Sequence, residues 1–462
     1  MQRSWTIPLV YLTSFLFLFG ATLQPAPRIA IYENIVCHRY YGATTPPALR
    51  DCKIAPVQQE LAFLGGIERL SIIIPSVLAI PFAALADRYG HSLVLSIAIF
   101  GVFLGDGWPF VVCWFPDVFP IRLIWLQFTF SMVGGGFTVV VTLLHVIIAD
   151  VVSAEERTTM FFRARAAGVA ASILGYAASG LLMKVADFLP WAVGLCSLIL
   201  GTFTAAMIAN TTTTENAKSL DTIADPEIRT LRSMVGPIRG VATLLVGNKQ
   251  VLAMLVLVFL CQLGFDSVPT MLAIYISKRY GWTFADASFL SSLEMSIELF
   301  TLVVLLPALT FGVLSSVQSL STFSKDKIVA QISLVTLAVG TLCLGFAPVV
   351  IVAILGIVVL ALGTGQDSLT RSMATDMVQG SDLSTVYSAI TMLRAIGGSI
   401  SGPIYAWLYS VALRDHGESW LGLPYIIAGS LFIVAFVLLT VIKDPQEDKK
   451  SILEPDREPL LG

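Results

Sequence analysis

The sequence predicts an all-α integral membrane protein whose twelve transmembrane helices form two pseudo-symmetric six-helix bundles. Hydrophobic residues make up 56% and charged residues 13% of the 462 residues, whereas about a quarter of the residues in a soluble domain are charged. Apolar stretches of about 20 residues recur along the chain, and each can cross about 30 Å of hydrocarbon as a helix. Backbone groups inside lipid must hydrogen-bond to each other, so these stretches are predicted to be helical.

The first apolar stretch is too long to be the hydrophobic region of a cleaved signal peptide, and no small-residue cleavage site follows it. It is therefore predicted to be the first span, and the later stretches are assigned in the same way. The twelve predicted spans are 7–32, 61–86, 93–112, 121–149, 160–183, 188–209, 250–276, 286–309, 328–347, 349–374, 386–411 and 423–442.

A long polar segment, residues 210–249, interrupts the apolar pattern after the sixth span. It is predicted to be a cytoplasmic central loop. It separates an N-terminal six-helix bundle, residues 1–209, from a C-terminal six-helix bundle, residues 250–442. A polar tail, residues 443–462, follows the last span and is predicted to be cytoplasmic and disordered.

An internal repeat supports the division into two halves. The stretch TLLHVIIADVV, residues 142–152, aligns without gaps to SLTRSMATDMV, residues 368–378. Each stretch ends a span, the fourth and the tenth, and each carries an aspartate at the same place. Duplicated halves that rock about a central site are a transporter architecture.

Basic residues indicate the orientation of the chain. Most of the 28 Lys and Arg residues fall in the termini and in loops on their side, which predicts that both termini are cytoplasmic. Cys37 and Cys52 then share the first external loop. A disulfide closing this loop of about 15 residues would stabilise it by roughly 3 kcal/mol. Two unpaired thiols are the alternative.

A polar stretch, AALADRYGH at residues 83–91, connects the second and third spans. Three interpretations of its Asp87-Arg88-Tyr89 triplet compete. A receptor signature belongs at the inner end of a third span in a seven-span bundle, whereas this triplet ends the second of twelve. A stop-transfer turn would require only polarity, with Gly90 as a helix stop.

The third interpretation is a family resemblance. The stretch resembles the loop motif of the major facilitator superfamily, written G-x-L-a-D-R-x-G-R-K. The pattern of Asp150 followed by Arg157, after the fourth span, also resembles this family. The segment RIAIYENIVCHRYY, residues 28–41, looks like filamentous-fungal members, a group loosely similar to proton-coupled folate-type carriers. The resemblance covers essentially the whole chain and implies a transporter fold.

The resemblance also implies a gating latch, in which Asp87 stabilises the outward-open state by contacting the N-terminus of span 11 and a nearby arginine. A carboxylate that faces a helix N-terminus gains about 0.3–1 kcal/mol. His91 replaces an arginine of the motif, so the latch is expected to be weak and sensitive to pH. The candidate latch residues are Asp87, Arg88, Gly90, His91, Asp150 and Arg157.

Ionisable residues inside the predicted spans are candidates for proton coupling or substrate binding, because a charge at mid-bilayer costs at least about 2.5–3.5 kcal/mol. Glu294 and Glu298 share one face of span 8, and two carboxylates so close resist being ionised together. Asp266 lies at a comparable depth in span 7. Arg394 in span 11 is a candidate partner for any of the three acids. A structural ion pair inside the bundle is the alternative.

Glu68 in span 2 is a further candidate for the cavity. Its neighbour Arg69 points about 100° away on a helix, so we do not expect both side chains to face one cavity. Asp106 is a weaker candidate. Arg28 and Glu33 lie at the outer end of span 1, where a gate and simple snorkelling are equally consistent with the sequence.

The remaining motifs narrow the function. The chain has no Walker A glycine loop, so ATP is not expected to drive it, and it has no basic patch for nucleic acid. His145 and Asp150 have an acyltransferase-like spacing, but they lie about 140° apart on a helix. We expect no enzymatic activity, no cofactor and no metal.

The sequence therefore predicts a monomeric, proton-coupled secondary transporter that exports a small organic molecule, such as a secondary metabolite or toxin. Import of an organic anion or vitamin-like nutrient and a transport-dead membrane sensor are the alternatives. We expect the chain to lie in the cell membrane. An acidic dileucine pattern in the tail, formed by Asp456, Leu460 and Leu461, would instead favour a vacuolar or endosomal membrane.

Overall fold

The computed structural model describes residues 2–42, 45–77, 82, 85–86, 88–152, 154–208, 249–309, 321–377, 383–416 and 420–444. All regular secondary structure in these residues is helical. Ten helical segments of the described chain are long and apolar enough to cross a membrane. Two further helical segments form spans 2 and 11. The predicted all-α fold with twelve spans in two bundles is confirmed.

The helices of the first half have the following bounds. They are Gln2–Thr22 and Pro25–Tyr41 in span 1, Ala55–Ser71 and Ile73–Val77 in span 2, His91–Trp114 in span 3, a 3₁₀ turn Ile121–Leu126 with Gln127–Ser131 and Gly136–Val151 in span 4, Ala154–Met183 in span 5, and Phe188–Met207 in span 6.

The helices of the second half form spans 7 to 12 in chain order. They are Lys249–Phe265 and Ser267–Tyr280 in span 7, Phe284–Phe300 with a π-helical turn Thr301–Leu305 in span 8, Thr322–Phe346 in span 9, Val350–Leu362 and Gln366–Met377 in span 10, Leu383–Val411 with a π-helical turn Ala412–His416 in span 11, and Leu423–Val441 in span 12.

Span 1 extends further than its apolar pattern predicts. Its helix continues past residue 32 to Tyr41 and ends at Gly42, whose φ of 72° is readily adopted only by glycine. Span 2 likewise begins early, at Ala55. The two extensions contact each other, because Gln58 Nε2 at the start of span 2 donates to Glu33 Oε1 in the extension of span 1. The predicted domain boundaries around 210–249 fall mostly outside the described residues and stay predictions.

Breaks occur at corresponding positions of the two halves. Span 1 is interrupted at Gln24 and span 7, its counterpart, at Asp266. Span 4 is interrupted between Ser131 and Gly136, and span 10 between Leu362 and Gln366. Interrupted helices in corresponding positions of two repeats are an indicator of a transporter's binding site. The breaks place the polar side chains of Gln24 and Asp266 at the middle of the molecule.

The two halves approach each other closely at the end of the bundle that carries the Cys37–Cys52 bond, which we term the disulfide end. A Cβ built on Gly66 of span 2 would lie 2.8 Å from the Cβ of Ala406 in span 11, and one built on Gly402 would lie 2.7 Å from the Gly66 carbonyl oxygen. Spans 5 and 8 cross in a similar way, where Ser288 Oγ donates to the Tyr176 carbonyl oxygen at 2.7 Å.

The buried apolar side chains are also distributed differently at the two ends of the bundle. Among the described residues, one large cluster joins both halves toward the disulfide end and contains Tyr32 and Trp191 together with Tyr275 and Tyr425. Toward the opposite end, each half has a separate cluster of its own. Because helices within a membrane associate through van der Waals packing and interhelical hydrogen bonds, the shared cluster holds the halves together at the disulfide end.

Candidate functional site

A cavity of about 660 Å³ lies between the halves at the level of the helix breaks. We call it the main cavity. A smaller cavity of about 250 Å³, the side compartment, is lined by spans 1, 5, 7, 8 and 10. Both cavities contact Pro25, Ile29, Tyr176, Pro269 and Met295. The two cavities therefore adjoin each other.

Arg28 of span 1 organises the charged wall of the main cavity. Its guanidinium donates to Glu68 Oε1 at 2.9 Å and to Asp106 Oδ1 at 2.6 Å. It also donates to Gln24 Oε1 at 3.0 Å, and it stacks over the Trp191 ring at 5.0 Å. We call Gln24, Arg28, Glu68 and Asp106 the Arg28 cluster.

The Arg28 cluster joins three spans through one guanidinium. Arg28 is 14% exposed, and a buried guanidinium requires paired and hydrogen-bonded partners. Gln24 Nε2 donates to Asp106 Oδ2 at 3.2 Å, which satisfies a further carboxylate oxygen. With two carboxylates and one cation, the cluster is anionic when both acids are ionised.

Asp266 pairs across the interface between the halves. Arg69 of span 2 donates to Asp266 Oδ1 at 3.2 Å, and Gln262 donates to Asp266 Oδ2 at 2.8 Å. Asp266 occupies the break in span 7, so its carboxylate sits beside the N-terminus of the following helix. This contact ties span 2 to span 7.

A second cross-half ion pair joins span 5 to span 8. Arg165 donates to Glu298 Oε1 at 3.1 Å. Glu294, one turn before Glu298, lines the side compartment with it. The predicted shared face of the two glutamates is thus present. Glu294 has no hydrogen bond or ion pair with any residue in the described part of the chain.

Two predictions about arginines are wrong. Arg394 forms its ion pair with Asp367 of span 10, not with Glu294, Glu298 or Asp266, because the packing of span 11 against span 10 brings the Asp367 carboxylate nearest to its guanidinium. Asp367 also lies 3.8 Å from Arg371, as the i, i+4 spacing of the two residues allows.

The second correction concerns Arg69 and Glu68. Both line the main cavity, although adjacent residues point about 100° apart on a helix. The cavity extends around the face of span 2, and the long Arg69 side chain reaches the opposite half.

The candidate latch lies at the end opposite the disulfide. His91 Nδ1 is 3.0 Å from Asp150 Oδ2, which joins the start of span 3 to the end of span 4. Gly90 has a φ of 104° before the span 3 helix, and the Arg88 guanidinium lies 5.6 Å from the Tyr89 ring centre. Asp87 and the side chain of Arg157 lie outside the described residues, as does the tail pattern.

The disulfide end carries a further link between the halves. Cys37 and Cys52 form a disulfide, in agreement with the predicted pairing. Lys53, the next residue, donates to Glu33 Oε1 at 2.6 Å and to Ser277 Oγ in span 7 at 2.7 Å. The bonded loop thus positions a lysine that contacts both halves.

Sequence reasoning missed Arg165 and gave too little weight to Arg28 and Asp106. A second internal repeat points to Arg165, because R-A-A-G at residues 165–168 of span 5 matches R-A-I-G at residues 394–397 of span 11. The two arginines occupy the same position relative to the start of their helices. No comparable signal connects Arg28 to Asp106, since the contact depends on tertiary packing.

Within the described ranges, no group of His, Cys, Asp and Glu side chains is arranged to hold a metal ion.

Comparisons with known proteins agree with this geometry. The model of the Major Facilitator Superfamily matches residues 39–316 and 254–462. The MFS efflux pump atnC of Emericella nidulans is 31% identical over 448 residues, covering 93% of this chain and 86% of that protein. The efflux pump ustT of Aspergillus flavus is 30% identical over 398 residues, covering 82% and 77%.

Solved structures show the same fold at low sequence identity. A nucleoside transporter, NupG, aligns with a TM-score of 0.67 at 12% identity, covering 93% of this chain and 99% of that one. A D-xylose-proton symporter aligns with a TM-score of 0.65 at 14% identity, covering 94% and 97%.

Proposed function

Since this chain belongs to the Major Facilitator Superfamily and is a membrane transporter, we propose that it exports a small organic molecule by proton-coupled alternating access. The substrate class we propose is a secondary metabolite or toxin. The observation that carries the proposal is a cavity between two helical bundles whose walls are joined by ion pairs across the interface.

The cross-half ion pairs supply a coupling mechanism. Arg69 contacts Asp266 and Arg165 contacts Glu298, so rocking of the halves toward the other state must separate them. A proton that binds to either carboxylate removes the negative charge and with it most of the attraction. Protonation of Asp266 or Glu298 therefore favours separation of the halves at the disulfide end.

The Glu294–Glu298 pair is the proposed proton carrier. Two carboxylates one turn apart in a largely apolar compartment resist being ionised together, so we expect one to retain a proton under conditions where a solvated pair would lose both. Because Arg165 compensates the charge of Glu298, Glu294 is the acid that we expect to be protonated first.

The direction of transport is proposed from the relatives. Both relatives are named as efflux pumps, and this chain covers most of each. We propose that the chain acts as a monomer in the cell membrane, since the cavity lies within one polypeptide. We place the termini in the cytoplasm and the Cys37–Cys52 loop outside, where disulfides persist.

The proposal is tested in two steps. First, deletion of the gene followed by untargeted metabolite comparison of cells and medium identifies molecules that accumulate inside. Second, uptake of such a molecule into inside-out plasma-membrane vesicles is measured with the vesicle interior acidified. We expect gradient-driven uptake, because protons leave the vesicle as the substrate enters.

The variant carrying Glu294→Gln, Glu298→Gln and Asp266→Asn should lose this uptake. Glu60→Gln is the matched control, because Glu60 pairs with the exposed Arg122 outside the cavity. Unchanged flux in the triple variant contradicts the coupling site. Uptake only in right-side-out vesicles would establish import, and absence of flux in the wild type would favour a sensor.

A further inference from the structure

We propose that the side compartment binds a protonated amine of the transported molecule, with the Glu294 carboxylate as its counter-charge. This inference rests on the proposed transport function and names its substrate class. The main cavity would then accommodate the rest of the molecule, because the two cavities share Tyr176 and Met295 as walls.

The charge balance of the two cavities distinguishes Glu294 from the other acids. Glu68 and Asp106 both contact Arg28. Asp266 contacts Arg69, and Glu298 contacts Arg165. Of the acids that line the two cavities, Glu294 alone lacks a basic partner in the described part of the chain. The missing cation is therefore a property of this one position.

The surroundings of Glu294 suit an ammonium group. The side compartment is lined largely by apolar side chains, including Phe265, Met295 and Leu360, so an ionised carboxylate there is costly unless it is paired. Tyr176 and Phe265 present aromatic rings in the same compartment, and the faces of such rings attract cations. A carboxylate with aromatic neighbours is a recognition chemistry for amines.

The volume of the side compartment limits the size of the chemical group that it can hold. The side compartment, at about 250 Å³, is smaller than the cavities of roughly 300–1,000 Å³ that hold a whole drug-sized ligand. The compartment therefore fits one basic group, with its attached carbons, rather than a complete metabolite. A carboxylate group on the substrate would instead face the like charge of Glu294 and is disfavoured.

The proposal also explains how the substrate and the proton exclude each other. An ammonium group and a proton both neutralise the Glu294 carboxylate, and only one is needed. When the amine binds, one proton leaves the carboxylate; when a proton returns, the amine is released. The exchange moves one positive charge in each direction, so it is electroneutral.

The test uses three probes that share one aromatic scaffold. They are 2-(1-naphthyl)ethylamine, its neutral N-acetyl derivative and the anion 1-naphthylacetate. Binding to the purified full-length protein in lipid nanodiscs is measured from the shift in its thermal unfolding midpoint as a function of probe concentration. We expect the amine to bind about tenfold more tightly than the neutral derivative, as a charge-assisted contact provides.

Glu294→Gln should reduce the affinity for the amine to that for the neutral derivative. Glu294→Asp and the surface control Glu60→Gln should preserve the preference. Equal affinities, tighter binding of the anion, or a preference for the amine that survives in Glu294→Gln would each overturn the inference. Equal affinities or tighter binding of the anion in the wild type overturn the inference even if a variant does not fold, and Glu294→Asp supplies a second variant for placing the site.

The outcomes separate this inference from the proposed function. Loss of gradient-driven export in Glu294→Gln, without any preference for the amine, would overturn the amine site and leave proton-coupled export standing. A preference for the amine without gradient-driven flux in the wild type would overturn the coupling and leave the binding site.

Discussion

The Arg28 cluster and the side compartment hold buried carboxylates in opposite ways. In the cluster, Glu68 and Asp106 share one guanidinium and further hydrogen bonds. In the side compartment, Glu294 lines an apolar wall without a basic partner in the described residues. A buried acid with a permanent counter-charge is fixed as part of the structure, whereas an acid without one can gain and lose a positive partner.

The largest effect should come from removing the shared cation. Arg28→Met leaves two carboxylates buried without compensation, so we expect the free energy of unfolding to fall by about 3 kcal/mol. Unfolding of the purified protein in detergent measures the loss. The triple variant Arg28→Met, Glu68→Gln, Asp106→Asn should recover most of the stability. An unchanged unfolding midpoint in Arg28→Met would remove the structural role of the cluster.

The same chemical change should have opposite signs in the two regions. Glu68→Gln removes a paired charge and is expected to lower the free energy of unfolding by about 1 kcal/mol. Glu294→Gln removes an acid that has no basic partner in the described residues and whose ionised form is costly in an apolar compartment. It should therefore leave that free energy unchanged or raise it by up to about 1 kcal/mol. Denaturant unfolding of both variants in one detergent compares them. Equal losses would show that Glu294 has a partner after all.

The stabilising effect of the cross-half pair Arg69–Asp266 should be smaller than that of the Arg28 cluster and larger than that of an exposed surface pair. Arg69 is 30% exposed, and Gln262 still donates to Asp266 when Arg69 is absent. We expect a coupling energy of about 1 kcal/mol from a double-mutant cycle of Arg69→Met and Asp266→Asn. A value above that of the Arg28 pairs would mean that the interface between the halves, rather than the cluster, holds the strongest charge contact.

The smallest effect is expected at the surface. Arg122 contacts Glu60 at 3.0 Å, but its side chain is 62% exposed. A double-mutant cycle of Arg122→Met and Glu60→Gln should give a few tenths of a kcal/mol. A coupling energy as large as that of Arg69–Asp266 would indicate that solvent exposure does not determine which ion pairs stabilise the protein most.

Much of the fold follows from the sequence, because length and apolarity suffice to identify membrane helices. The shared face of Glu294 and Glu298 follows from helical spacing alone. The Arg28 cluster could not be predicted, since its members lie on three spans far apart in the chain. The partner of Arg394 was also beyond prediction, because the rotation of span 11 about its axis depends on its neighbours.

Hydropathy also placed the end of span 1 and the beginning of span 2 where their apolar residues stop, whereas the helices extend further. Polar positions such as Glu33 belong to the helix because Lys53 and Gln58 pair with them. Hydropathy measures preference for lipid and carries no information about such partners.

The crossing of Gly66 and Gly402 has a consequence for how this protein evolves. The backbones approach so closely there that a Cβ on Gly66 would lie 2.8 Å from the Ala406 Cβ, and a Cβ on Gly402 would lie 2.7 Å from the Gly66 carbonyl oxygen. A larger residue at either glycine would therefore push the two helices apart. Neither glycine is among the residues that line the main cavity or the side compartment. Side chains of the cavity walls can therefore be replaced in evolution while this helix crossing is kept as it is.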